Sequence, residues 1–195
     1  MKRLALLGGL LALAAPLAAP LALAQTSTWT PNPAHSDVNF SILHLSLSKV
    51  RGHFGPISGK VILDTADIAK STVDVTVDVT GVNTGSSLRD DVLRSPSFFD
   101  LARFPTATFA STSVAPAPGG LTVTGNLTLL GVTRPVVLHV KGPIDPATHT
   151  GRKAHEEFSA SAVLNRSDFG VGAGYPDKIV GDQVDLTIDM DLVKQ

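Results

Sequence analysis

Val73-Asp74-Val75-Thr76-Val77-Asp78-Val79-Thr80 puts a valine at every second position and an aspartate or threonine between. Successive side chains of an extended strand point to opposite faces, so this octapeptide has one oily side and one wet side. A helix would scatter the same valines around its circumference. The segment is therefore expected to be a half-buried strand through Thr80. The C-terminus repeats the pattern: Val184, Leu186, Ile188, Met190 and Leu192 alternate with Asp185, Thr187, Asp189 and Asp191.

Working outward, the same period recurs with more noise. Val38, Phe40, Ile42 and His44 oppose Asp37, Asn39 and Ser41, while Leu121, Val123, Gly125, Leu127 and Leu129 oppose Thr122, Thr124, Asn126 and Thr128. Val136, Leu138 and Val140 form another apolar set, as do Phe158, Ala160, Ala162 and Leu164, and shorter candidates lie at 59–64 and 106–113. Gly, Pro, Asn and Asp clusters separate about eight such strands. The exception is Ser87-Leu88-Arg89-Asp90, which has the S-x-x-D form of a capping box and predicts a short helix from Ser87 to Arg94. A further turn is expected at 97–101, before Pro105.

The N-terminus reads as a secretory signal peptide over residues 1–24. Lys2 and Arg3 precede an apolar run from Leu4, two prolines break it, and Ala22-Leu23-Ala24 forms a cleavage site before Gln25. A periplasmic or secreted product is expected. Its removal takes two of the 16 Lys and Arg and none of the 17 Asp and Glu, leaving a net charge of −3. That balance argues against a nucleic-acid partner, which requires clustered bases. Residues 25–195 suit one domain with a sizeable core. The chain has no cysteine, which excludes disulfides, thiolate nucleophiles and cysteine-ligated metals.

A chain of alternating strands must hide its apolar faces and manage its edges, as a closed barrel or a two-sheet sandwich does. An eight-stranded barrel either packs solid or holds one slender ligand. Inward valine, alanine and glycine with only 5% aromatics favour a cavity, although valine can also fill a core.

Particular strings resemble the YceI-like family. They are Trp29; the run from His35 through Val38, Phe40 and Ile42 to His44; Val50, Gly52 and Phe54; Thr84-Gly85; Arg89 to Asp100; Phe104-Pro105 with Thr108-Phe109; Gly125 to Val136; Asn165 to Gly170; and Gly181-Asp182. They run in order through residues 28–193. Asp191 departs from an expected glutamate, and Asp91 departs in the Asp90-Asp91 pair. The resemblance implies an all-β fold, an extended eight-stranded antiparallel lipocalin-like barrel with a short helical segment near one end. It also implies an exported protein that binds a polyisoprenoid or isoprenoid quinone in its interior, requires no further cofactor, and is not an enzyme.

On that reading the expected apolar lining is Phe40, Ile42, Val75, Val77, Phe109, Leu127, Leu129, Phe158, Ala160 and Ala162, with Leu88, Leu93, Phe98 and Phe99 as a lid. Any barrel core shows such alternation, so the pattern alone leaves lining and ordinary core open. His44 faces inward by period two and either meets a ligand headgroup or is a satisfied core histidine. Arg89, Asp90, Arg166 and Asp168 either form a polar end to the cavity or fix the helix and a loop. A carrier or store of isoprenoid lipid is the leading expectation. A quinone-presenting accessory to a membrane b-type cytochrome is the second, and a homodimer is a compatible assembly. No metal site is expected, because the six histidines show neither H-x-H nor HExxH spacing. A hydrolase is disfavoured: His35, Ser36 and Asp37 are adjacent on a strand and so alternate faces, and there is no G-x-S-x-G.

Overall fold

A computed structural model describes residues 26–144 and 154–195; the segment read as a signal peptide and the loop carrying His149 lie outside them. Ten β-segments run in chain order: β1 (Thr26–Pro31), β2 (Asp37–His44), β3 (Ser48–His53), β4 (Ile57–Asp64), β5 (Thr72–Asp78), β6 (Thr106–Ala117), β7 (Gly120–Leu129), β8 (Val132–Ile144), β9 (His155–Asn165) and β10 (Val180–Lys194). Among the described residues one α-helix forms, α1 (Ser87–Arg94), in the long connection between β5 and β6.

The register shows why ten segments make eight strands. Both β1 and β2 pair antiparallel with β10, Pro31 opposite Leu192 and Asp37 opposite Asp189, so they are two halves of one strand interrupted at residues 32–36. Likewise β3 pairs with β2 and β4 with β1, as one strand interrupted at residues 54–56. From β4 the sheet proceeds through β5, β6, β7, β8 and β9 to β10, each bonded to the next. The pairing of β10 back to β1 and β2 closes it. The expected closed antiparallel barrel is what forms, with edge left unpaired where β8 runs ahead of its ladder to β9.

Three local expectations are corrected. β5 ends at Asp78 rather than Thr80, because the Asp78 carboxylate accepts from Thr80 N at 2.8 Å and Thr80 Oγ1 at 2.6 Å, turning Val79–Gly81 into a 3-10 turn. β1 and β3, which the alternation did not single out, are strands. The helix has the expected bounds but not the expected box. Its N-cap is Ser86 without a side-chain cap bond, and Asp90 reaches back to Thr84 N at 2.9 Å.

The interruption in the first strand is held by one carboxylate from β10. Asp191 Oδ2 accepts from Asn32 Nδ2 and Asp191 O from Asn32 N, both at 2.8 Å, while His155 Nδ1 lies 2.8 Å from Asp191 Oδ1. Asp191 N donates to the buried Ser36 Oγ at 3.1 Å. Burial alone would raise the Asp191 pKa. The hydrogen bonds from His155 and Asn32, with the nearby His155 and His35 imidazoles, outweigh it and hold the carboxyl below its usual range.

A carboxyl whose folded pKa is depressed contributes stability above its unfolded value and loses it as pH falls through the folded one. Asp191→Ala is therefore expected to cost about 2–3 kcal/mol in urea unfolding at neutral pH. The difference from the parent should shrink only as pH falls below the ordinary carboxylate range, through the depressed pKa of Asp191. An unchanged midpoint at neutral pH would contradict this role.

Candidate ligand-binding site

The barrel has two unlike ends. At one lie the β2–β3 turn, the 79–105 connection with α1, the β7–β8 turn and the β9–β10 connection. At the other, Trp29, Val61 and Leu192 form an apolar cluster with Leu63, Met190 and Phe158 that closes the barrel interior. Trp29 is 4% exposed and its Nε1 donates to Ser27 Oγ at 2.7 Å, so the indole is buried with its polar atom satisfied.

Between these ends runs a cavity of about 260 Å³ whose accessible wall is apolar. It extends from Leu63, Ile68 and Leu192 near the Trp29 end to Phe98, Phe99, Phe169 and Val180 beneath α1. Of the expected lining, the wall includes Phe40, Ile42, Val75, Val77, Leu93, Phe98, Phe99, Phe109, Leu127, Leu129, Phe158 and Ala160. Two expectations are corrected. Leu88 is 82% exposed and forms no part of the lid, because α1 turns Leu88 and Val92 outward and packs Asp90 beneath. Ala162 is buried on the same face of β9 as Ala160 and Leu164, but its short side chain does not reach the cavity surface, and it also borders a separate outer cleft. There β8 and β9 diverge. Their ladder runs from His139 opposite Ser161 to Ile144 opposite Glu157 and does not reach the Val132–Leu138 stretch of β8.

Small residues keep the lumen open. A Cβ on Gly125 would lie 2.4 Å from Phe109 Cζ, and one on Gly52 would lie 2.5 Å from Phe40 Cζ. Each ring is thus laid against the backbone of its neighbouring strand rather than across the barrel. At the helical end the rings continue as a chain, Phe40 to Phe54 at 5.1 Å and Phe54 edge-on to Phe99 at 5.5 Å. That chain ties the barrel wall to the segment that covers it.

The polar residues take up positions that brace the cover. Arg166 is 6% exposed, and its guanidinium donates to five carbonyls, those of Gly181, Val171, Gly172, Tyr175 and Val180, at 2.7–3.0 Å. It also meets Asp177 Oδ1 at 3.1 Å. With every N–H committed, it closes the β9–β10 connection into a compact loop and has none to offer a ligand. Arg89 donates to Thr84 Oγ1 at 2.8 Å and Thr84 O at 2.9 Å, and Thr84 Oγ1 donates in turn to the buried Asp90 at 2.5 Å. Asp168 lies on the surface, its carbonyl accepting from Arg134 Nε at 3.2 Å. His44 is half-buried at the end of β2 and lies outside the cavity wall. Arg166 borders the lumen with its N–H groups already committed, while Arg89, Asp90 and Asp168 lie outside the wall and anchor the segments above it. Among the described residues no group of His, Asp or Glu is arranged to hold a metal.

The sequence reading missed parts of the wall at both ends of the barrel. Ile57, Val61, Leu63, Ile68 and Val73 line it, along with Val171 and Val180 from the loop that Arg166 folds. The valine of β5 signals part of this set. Nothing local marks Val171, whose burial depends on a guanidinium elsewhere in the chain.

A closed eight-stranded antiparallel barrel with an apolar interior cavity is the class of protein that fold and cavity define. The YceI-like domain model matches residues 29–192, and the chain belongs to that family. It is 38% identical over 163 residues to UPF0312 protein Ent638_1570 of Enterobacter sp. (strain 638), covering 83% of this chain and 82% of that one. It is 37% identical over the same length to Protein YceI of Salmonella newport (strain SL254), covering 83% of each. Among solved structures, Burkholderia cenocepacia BcnA superposes with a TM-score of 0.70 at 28% identity, covering 83% of this chain and 98% of that chain. A polyisoprenoid binding domain from Saccharophagus degradans shares the fold, with a TM-score of 0.61 at 16% identity, covering 88% of this chain and all of the other.

If Gly125 keeps the lumen open, Gly125→Val should push the Phe109 ring inward, lower the uptake of a fluorescent apolar probe such as N-phenyl-1-naphthylamine, and cost about 1–3 kcal/mol in unfolding. Gly174→Ala, where a Cβ would meet nothing within 4 Å, should change neither measurement. Equal probe uptake by the Gly125 variant would contradict the assignment.

Proposed function

We propose that this chain is an exported binding protein that holds the apolar tail of a polyisoprenoid, or of an isoprenoid quinone, inside the barrel. The observation that carries the reading is the continuous apolar cavity. An unfilled apolar void costs about 24 cal/mol per Å³, so 260 Å³ amounts to about 6 kcal/mol, comparable with the whole stability of a domain. A cavity of about 150 Å³ already accepts benzene, and each CH₂ buried contributes about 0.8 kcal/mol, so a slender hydrocarbon entering here gains affinity without any polar contact.

The wall also restricts which part of the ligand lies inside. Among the described residues its polar members are Ser71 and Arg166, and Ser71 Oγ accepts from Asp64 N at 3.0 Å while Arg166 is fully bonded. A charged or strongly polar headgroup would be left unsatisfied there, so the tail occupies the lumen and the head stays at an end. The fold shared with a polyisoprenoid binding domain agrees with this assignment. Export follows from the N-terminal segment, and residues 1–24 are removed in the mature form.

Protein purified from its native host and extracted with organic solvent should yield an apolar molecule built from five-carbon units, identified by mass spectrometry. N-terminal sequencing should begin at Gln25. An empty protein that also takes up no quinone would contradict the binding reading. Ala160→Trp, which places bulk in the lumen, should abolish uptake while leaving the barrel folded; a solidly packed core would instead lose stability without any uptake to lose.

A further inference from the structure

Nine large apolar residues are well exposed among those described, and seven of them lie at the helix-bearing end of the barrel. Leu43, Leu45 and Leu47 belong to the β2–β3 hairpin, Leu88 and Val92 to α1, and Tyr175 and Ile179 to the β9–β10 connection. The other two, Val137 and Val163, lie on the outer wall. Three chain segments far apart in sequence thus bring their leucines and aromatic ring to one rim. The segments also touch. Leu45 N donates to Ile179 O at 2.9 Å, Ser46 Oγ to Lys178 O at 3.4 Å, and the Tyr175 ring lies 4.8 Å from Phe98 behind α1.

The hairpin tip holds its leucine at a conformational cost. His44 O accepts from Leu47 N at 3.1 Å across a two-residue turn in which Leu45 and Ser46 both have positive φ, +53° and +55°. Asn-Gly is the residue pair this turn prefers, and an unbranched polar or glycine residue would relax it. Instead the turn presents leucine to water, with Leu47 beside it 88% exposed. On α1, Leu88 and Val92 are four apart and form an outward apolar stripe, the reverse of the usual burial.

We propose that this rim is a membrane-contact surface that seats the helix-bearing end of the barrel in the interface of a lipid bilayer. The leucines project from a hairpin tip and a helix face rather than lining a groove, which suits a fluid apolar phase better than a shaped protein pocket. The rim is continuous with the cavity: Ile42, Phe98 and Val180 line the lumen and are neighbours in chain or in contact with the rim residues. Of the acidic groups near it, Asp177 pairs with Arg166, Asp185 with Lys49 and Asp91 with Arg94, while Asp168 and Asp182 accept only neutral hydrogen bonds, from Asn165 and Ser167; among the described residues Arg51 and Lys178 are exposed without an ion pair. The choice of a bilayer rests on the proposed lipid occupant, because a tail that is almost insoluble in water must be gathered from a membrane.

The test is co-sedimentation of the purified protein with vesicles of phosphatidylethanolamine and phosphatidylglycerol. Leu47→Glu combined with Leu88→Glu should lower vesicle affinity by at least about tenfold. Both sites are so exposed that folding should be unaffected. Leu45→Asn with Ser46→Gly should leave unfolding stability equal or higher while vesicle affinity falls, an outcome that a purely structural tip would not give. Leu47→Trp should be quenched by brominated lipid, against a constant signal from Trp29 buried at the opposite end. Uptake of isoprenoid from detergent should be normal in the glutamate variant and slowed from vesicles. Failure of the parent to bind vesicles, or equal binding by the glutamate variant, would overturn the proposal. So would loss of a dimer in that variant without any vesicle binding by the parent, which would make the rim an interface between copies. Vesicle binding by a protein that takes up no isoprenoid from detergent would sink the binding reading and leave the docking surface standing.

Discussion

The closure of β10 onto the split first strand is the constraint from which the rest of the molecule follows. Once eight strands are closed with a fixed stagger, the radius of the lumen is set, and every second residue must point into it. Whether the space fills then depends on side-chain volume alone. Ala160 and the two glycines that let Phe40 and Phe109 lie flat keep it from filling. The wall is held by antiparallel ladders between neighbouring strands, from β4 through to β10 and back to the split first strand. The lumen is therefore not free to collapse in the way an open core would.

The cost of closure appears where the first strand breaks. Residues 32–36 interrupt its ladder to β10, and Asp191 supplies the missing acceptors from across the sheet. A single buried carboxylate thus carries the continuity of the barrel at the end away from α1. At the other end the equivalent task falls to Arg166, which gathers five carbonyls and folds Val171 and Val180 over the cavity. Both are buried charges whose partners satisfy them, so removing either residue costs more than its own contacts suggest.

Much of the barrel was legible in the alternation of β5, β7 and β10, because period two has only one structural reading when half the positions are polar. The interrupted strands were legible only in part: β2 and most of β4 showed the period, but β1 and β3, six residues each, were too short before their breaks to show it. The lining could be read wherever a strand continued straight through the lumen, as in Val75 and Val77 or Leu127 and Leu129. It failed where tertiary geometry intervenes. Leu88 and Val92 have the spacing of a buried helical face, yet Asp90 takes the inner side because Thr84 needs its carboxylate. Ala162 follows the alternation of β9 into the core, but its short side chain does not reach the cavity surface. Charged residues near a cavity end read equally well as ligand contacts or as braces, and only their bonding partners distinguish the two.

The central claim is that the inward faces enclose apolar space instead of occupying it. Xenon enters dry apolar cavities and is easily seen by diffraction, so crystals of the ligand-free protein pressurised with xenon test the claim directly. Ordered xenon between Phe109, Leu127 and Phe158 is the predicted result. A lumen that binds no xenon and shows side chains packed to the density of an ordinary core would contradict the account.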